Sequence, residues 1–241
     1  MTDKTLVKEL RDLFFSLQED LKPTVSIEVG AFKAEFSHRM REEHPDATAW
    51  AFEANPHNCA MYCIDAINKG IKYMNYAVAN RVGTIEFLLQ DQLVSGEKFI
   101  KEMGNNSILQ RQDNVTLYDK VKVDCIALDH FFIAGGLVQP QDKVCLWVDV
   151  EGASREVLTA ATKLLQQTQT IFIEVEDVPF WQDQWLAGDV DKFLKEQNFV
   201  KVARDYEYPL QNNVIYVRSD LKYNRRTEEK IKNWNKQYGN V

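Results

Sequence analysis

The sequence predicts an α/β fold: a mainly parallel sheet, covered by helices on both faces, that ends in an antiparallel hairpin. Three observations predict it. Short apolar runs alternate with amphipathic helical segments along most of the chain, the pattern of parallel strands joined by covering helices. The run KVCLWVDV, residues 143–150, is almost continuously apolar, as a strand buried on both faces requires. The last two strand-like runs, FVKVARD (199–205) and NVIYVRS (213–219), have no helix between them and so pair antiparallel.

The elements follow in order. Leu6, Leu10, Leu13, Phe14, Leu17 and Leu21 recur at helical spacing, and Pro23 ends that helix. TVSIEV (24–29) reads as the first strand, AEFSHRMREEH (34–44) as a helix stopped by Pro45, and TAWAFEA (48–54) as the second strand. HNCAMYCIDAINKG (57–70) is a helix with Gly70 at its C-terminal cap, and IKYMNYAV (71–78) the third strand. GTIEFLLQ (83–90) alternates like a strand. SGEKFIKEMGNNS (95–107) is polar and loop-like, and NVTLYDKVKVDCIAL (114–128) reads as one or two extended pieces. A short helix, DHFFIAG (129–135), precedes the strongly apolar strand. SREVLTAATKLLQQ (154–167) is a helix, TIFIEVE (170–176) a strand, DVDKFLKEQN (189–198) a helix, and a polar helix begins near Asp220.

The chain has 241 residues, 45% of them hydrophobic, which suits one globular domain with extensions. We divide it into an N-terminal amphipathic helix (1–22), a central domain (23–219) and a C-terminal helical extension (220–241). The two terminal helices lie outside the core pattern, so they either cover the cleft or mediate a homodimer. A net charge of −7 argues against sequence-independent nucleic-acid binding. Cys59, Cys63, Cys125 and Cys145 form no CxxC pair and no zinc-ligand spacing, and read as buried free thiols. There is no signal-peptide core and no apolar run long enough to span a bilayer, so a reducing, cytoplasmic setting is expected.

Function is expected where the first strand turns. SIEVGAFKAEFS (26–37) is a buried strand, a glycine turn at Gly30 and a helix. Glu53, at the end of the second strand, stands where a ribose-binding acid of a dinucleotide site stands, about 20 residues on. A pyrophosphate needs further glycines for close backbone approach, and here Phe32 and Ala34 occupy the following turn. S-adenosylmethionine has no phosphate and carries positive groups that favour an acid such as Glu28. The turn therefore fits S-adenosylmethionine better than NAD.

The segment LWVDVEGASREVL resembles the FkbM family of methyltransferases, whose fourth strand ends in D-x-E-G-x-E-x-x-V-L. The matching residues are Asp149, Glu151, Gly152, Val157 and Leu158, with Ser154 at the second acid. SIEVGAFKAEFS is similar to the family's D-V-G-A-N-x-G-x-Y-S, with Glu28 for the Asp, Phe32 for the Asn and Ala34 for the second Gly. AFEANP is similar to A-F-E-P-N-P, IALDHFF to T-L-D-x-L, and IFIEVED to the fifth strand; the likeness runs from about Val25 to Val217.

The resemblance implies a Rossmann-like, seven-stranded class I methyltransferase sheet. It also implies an S-adenosylmethionine-dependent O-methyltransferase, releasing S-adenosylhomocysteine and acting on a hydroxyl of a sugar in a glycan or glycosylated natural product. The cofactor-binding set expected on this basis is Glu28, Gly30, Ala31, Glu53, Ala54, Asn55, Ala77 and Asp149. Asp149 and Glu151 are the catalytic candidates, set against a role in capping the next helix. Ser107, in a loop where the family carries a serine, and Glu174 are the substrate-side candidates, with a solvated strand end as the other reading of Glu174. Glu28 in an apolar strand either faces the ligand or forms a core ion pair.

Asp149, Glu151 and Glu174 offer oxygen ligands for a divalent ion, a secondary option, and no metal site is assigned. None of His38, His44, His57 and His130 is assigned a role. VPFWQDQW (178–185) reads as a wall for a sugar ring, as core or as a lid contact. The alternatives are an NAD-linked oxidoreductase on a similar sheet and a non-catalytic binding module of the same fold.

Overall fold

The computed structural model describes residues 3–91, 104–113, 116–205, 210–221 and 224–239. In chain order the elements are α1 (Asp3–Leu21), β1 (Val25–Val29), α2 (Glu35–Glu43), β2 (Thr48–Phe52), α3 (Pro56–Asn68), β3 (Ile71–Met74), β4 (Ala77–Val78), β5 (Gly83–Asp91) and β6 (Leu117–Ile126). Then come β7 (Val144–Val148), α4 (Ser154–Thr159), β8 (Thr168–Glu176), α5 (Ala187–Glu196), β9 (Phe199–Arg204), β10 (Gln211–Arg218) and α6 (Arg225–Tyr238).

Seven strands form one sheet in the order β3-β2-β1-β7-β8-β10-β9. The first five run parallel, while β10 pairs antiparallel with both β8 and β9. This is the expected fold class, terminal hairpin included. Strand order reverses between β1 and β7, which opens a crevice at their carboxyl ends.

Alternation along the strands builds two cores. On one face Ile27, Val29, Phe52, Leu146, Val148 and Ile173 pack with Val157 and Leu158 of α4 and Val190 and Leu194 of α5. On the other, Cys145, Trp147, Phe172 and Ile215 meet Leu10, Phe14 and Leu17 of α1, Phe36 and Met40 of α2, and Trp234 of α6. Trp147 and Phe172 stack at 3.7 Å, and Phe14 meets both edge-on. Helix α6 is tied to α1 by Lys230 and Arg226, 2.9 and 3.6 Å from the buried Asp20 carboxylate. Burial of that acid raises its pKa, but hydrogen bonds from Lys230 and Thr227 and the charges of Lys230 and Arg226 outweigh this and hold it below the usual range.

Several elements differ from expectation for identifiable reasons. IKYMNYAV is two strands: the Asn75 amide donates to the Glu53 and Ala54 carbonyls, and after it β4 leaves the main sheet to pair parallel with β6. β5 and β6 form a long antiparallel pair, so β4-β6-β5 is a second, three-stranded sheet. The helix expected over 154–167 stops at Thr159, and only a short 3₁₀ turn, Leu164–Gln166, follows. The carboxylate of Asp129 accepts from the Thr162 hydroxyl and from the Lys163 and Leu164 amides, which breaks the helix there. DHFFIAG winds as a π-helix. Cys59 and Cys63 are half-buried rather than buried, and all four thiols are free. Most of SGEKFIKEMGNNS, residues 95–103, lies outside the described residues. No helix among the described residues is long and apolar enough to cross a membrane.

Candidate active site

Gly30, Glu53, Ala54, Ala77, Ser107, Asp149, Glu151 and Glu174 all line one cavity of about 720 Å³ at the carboxyl ends of β1, β2, β7 and β8. The volume lies within the range of small-molecule sites. Glu28, Ala31 and Asn55 are buried but do not line it.

The turn after β1 explains part of this division. Gly30 has φ +81°, and a Cβ there would stand 1.6 Å from the Asp149 carbonyl oxygen. Glycine is required because the end of β7 presses against the turn, whatever ligand lies above. Phe32 (φ 44°) and Ala34 (φ 57°) keep left-handed backbone without glycine, at roughly 1–2 kcal/mol each. Hydrogen bonds compensate: the Phe32 amide donates to Glu53 Oε2 at 2.7 Å, and the Tyr73 hydroxyl donates to the Phe32 carbonyl at 2.6 Å.

The two acids on this side are used internally. Glu28 turns into the N-terminal end of α2, accepting from the Phe36 and Ser37 amides at 3.3 and 3.0 Å, which is why it is absent from the cavity wall. Burial pushes its pKa to about 8, and the charge of Asp149 adds to the shift. Glu53 accepts from the Phe32 amide through one oxygen and the Asn55 amide through the other, stapling the two turns while facing the cavity. Burial raises its pKa as well. Asn55 caps α3, its side chain accepting from the His57 amide. Ala31 packs among Ala34, Ala49 and Ala51.

On the other side of the switch point the acids crowd one another. Carboxylate oxygens of Asp149, Glu151 and Glu174 all lie within 4.8 Å of each other. Glu151 is held at φ 47° and Gly152 at φ +81°, where a Cβ would stand 2.3 Å from the Trp181 ring. The Ser107 hydroxyl, buried, donates to the Glu151 carbonyl at 2.7 Å and accepts from the Leu109 amide. Ser107 thus pins the strained peptide of Glu151. Burial raises the pKa of Glu174 well above the usual range, reinforced by Asp149, Glu151 and Glu176. Its Oε1 is buried with no hydrogen-bond partner among the described residues. Burial and Asp149 push Glu176 to about 7, although Gln184 donates to it at 3.0 Å. Helix α4 has Ala153 at its cap position and no side-chain cap there.

The wall residues that the sequence did not mark include Arg11 of α1, Asn58 of α3, Tyr76 and Arg111. Asn58 donates to Glu53 and leaves its side-chain oxygen buried and unpartnered among the described residues. Its position after AFEANP on a predicted helix was the available signal. Within VPFWQDQW, Phe180 and Trp181 line the cavity, and Trp185 packs on Phe193. No histidine is among the described lining residues.

A family model described as the methyltransferase FkbM domain matches residues 25–201. Over 180 residues, 70% of each chain, the sequence is 25% identical to the 2-O-methyltransferase NoeI of Sinorhizobium fredii. Among solved structures, WbdD, co-crystallised with a kinase inhibitor, superposes with a TM-score of 0.50 at 10% identity, covering 91% of this chain and 41% of that one. Magnesium protoporphyrin IX methyltransferase from Synechocystis PCC 6803, solved with bound S-adenosylmethionine, gives 0.48 at 11% identity, over 90% and 79%. The likeness to WbdD is one of fold.

Proposed function

Because the chain belongs to the FkbM methyltransferase family, we propose that it is an O-methyltransferase that uses S-adenosylmethionine and acts on a sugar hydroxyl. The observation that carries this reading is the shared cavity at the switch point, whose wall joins the Gly30 turn and Glu53 to the acids Asp149, Glu151 and Glu174. The similarity to a 2-O-methyltransferase supports a hydroxyl acceptor.

The cofactor half of the wall suits a donor-rich ribose. Glu53 retains acceptor capacity beyond the two backbone amides and the Asn58 side chain that donate to it, and the Asn58 oxygen lacks a donor among the described residues. A buried acceptor without a partner is costly, so a ligand hydroxyl there relieves the site. The bound cofactor supplies an electrophilic methyl group. The chain's own contribution is position and proton handling. Proximity and alignment account for most of the rate gain in such a transfer. Asp149 accepts or orients the acceptor's hydroxyl proton, and burial, reinforced by the charges of Asp149 and Glu151, strengthens the hold of Glu174 on a proton. The same three carboxylates would hold a divalent ion in the secondary reading, since hard oxygen donors suit one.

Calorimetric titration with S-adenosylhomocysteine tests the proposal. Saturable binding is expected, weakened about 10-fold or more in Glu53→Gln. A folded protein with no affinity for S-adenosylhomocysteine sinks it.

A further inference from the structure

Two guanidinium groups face the cavity from elements outside the sheet: Arg11 from α1 and Arg111 from the segment before β6. The same wall carries Glu53, Asp149, Glu151 and Glu174, yet neither guanidinium forms an ion pair or hydrogen bond with any of the described residues, and Arg111 acts on Glu176 only through its charge. In each, Nε is shielded from solvent and lacks an acceptor among them. Each is instead laid over a tryptophan, Arg11 at 5.7 Å from the Trp147 ring centre and Arg111 at 4.5 Å from that of Trp181.

Arg111 has the more rigid mount. Its amide donates to the Tyr118 hydroxyl at 2.8 Å. Its segment is laced to that of Trp181 by Gln112 N to the Phe180 carbonyl and Gln182 N to the Gln110 carbonyl. The ring beneath it is itself wedged against Gly152. A guanidinium seated over an aromatic face still presents N–H groups in a fork that matches an oxyanion. Buried donors in native proteins are normally satisfied, and here the cavity is where an acceptor would come from.

We infer that the methyl acceptor is anionic, and that Arg111, seated on Trp181, anchors its carboxylate, sulfate or phosphate group, with Arg11 a second cation on the same wall. This rests on the methyltransferase reading for the word acceptor, and names its chemical class. The acids at the ends of β7 and β8 then face the hydroxyl while the arginines take the charged substituent, so a neutral sugar would leave both guanidiniums unmatched.

The test titrates the full chain, saturated with S-adenosylhomocysteine, with glucose, glucuronate, glucose 6-sulfate and glucose 6-phosphate. At least one charged probe should bind about 10-fold or more tightly than glucose, and the one preferred identifies the oxyanion. Arg111→Gln should abolish that preference and Arg111→Lys retain part of it, with affinity for S-adenosylhomocysteine unchanged as evidence of folding. Glucose binding as well as every charged probe, saturation by none of the four, or a preference that survives both Arg111→Gln and Arg11→Gln overturns the inference. Should a variant fail to fold, the unaltered protein's preference alone decides. If S-adenosylhomocysteine does not bind, the proposed function fails, and the same probes on the free protein still report on the arginines.

Discussion

Two groups of acids flank the switch point, and they are used in opposite ways. On the β1–β2 side, Glu28 and Glu53 each accept backbone amides through their carboxylates, holding the start of α2 and the two turns in place. On the β7–β8 side, Asp149, Glu151 and Glu174 stand within 4.8 Å of one another, and Glu174 has a buried oxygen with no partner among the described residues. Burial raises pKa on both sides, through Glu28, Glu53, Glu174 and Glu176. What differs is the neighbour: amide dipoles favour the ionised form, whereas other carboxylates oppose it. The first group builds the site, and the second is suited to carry a proton.

Breaking the seam between the two sides should have the largest effect. In Gly30→Ala the new methyl would overlap the Asp149 carbonyl at a left-handed backbone position, so about 3 kcal/mol or more of stability should be lost. Urea unfolding measures this, and a loss under about 1 kcal/mol would show that β7 yields easily.

Next comes Asp149→Asn, which keeps shape and removes basicity. Turnover with an identified acceptor should fall about 100-fold or more, with cofactor affinity changing less. Because Asn caps a helix about as well as Asp, an unaltered rate would return Asp149 to a structural role.

The pH dependence of stability sharpens the comparison further. Glu28 and Glu176 titrate in the folded protein near 8 and 7, above the ordinary carboxylate value of 4.5. Between that value and the folded ones the unfolded chain has already lost protons that the folded chain retains. Their contribution is therefore fully present below about pH 4.5 and declines as pH rises through 7 and then 8. Glu28→Gln should flatten the upper part of that decline. Urea midpoints measured across neutral pH check it, and parallel curves for the two proteins would remove Glu28 as a source.

The smallest effect is close to balance. Ala34→Gly relieves a left-handed alanine at φ 57° but loosens the unfolded chain and deletes a fully buried methyl, for a net change in stability within about 1 kcal/mol. A loss well beyond that in urea unfolding would mean that the turn is unstrained.

The mainly parallel sheet, the closing hairpin and the placing of Gly30, Glu53, Asp149, Glu151 and Gly152 at strand ends were legible in the sequence. Each depends on neighbours in the chain: apolar period, turn residues at strand ends, and spacing along a motif. Local pattern misled where a distant residue claimed the backbone. Asn75 cut the third strand by donating to the carbonyls of Glu53 and Ala54, and Asp129 cut a helix by accepting amides at 163 and 164. The uses of Glu28 and Ser107 were invisible for the same reason, since their partners lie on other elements or, for Glu28, in the first turn of a helix across the turn. Arg11, Asn58 and Arg111 carried no motif and reach the cavity only because α1, α3 and the segment before β6 pack where they do. The sequence alone thus settled the main strands of the sheet and which acids end them. Only the tertiary structure decided which polar atoms are satisfied internally and which face the cavity. Periodicity is a short-range property, whereas hydrogen-bond partners are chosen by proximity between residues far apart in the chain.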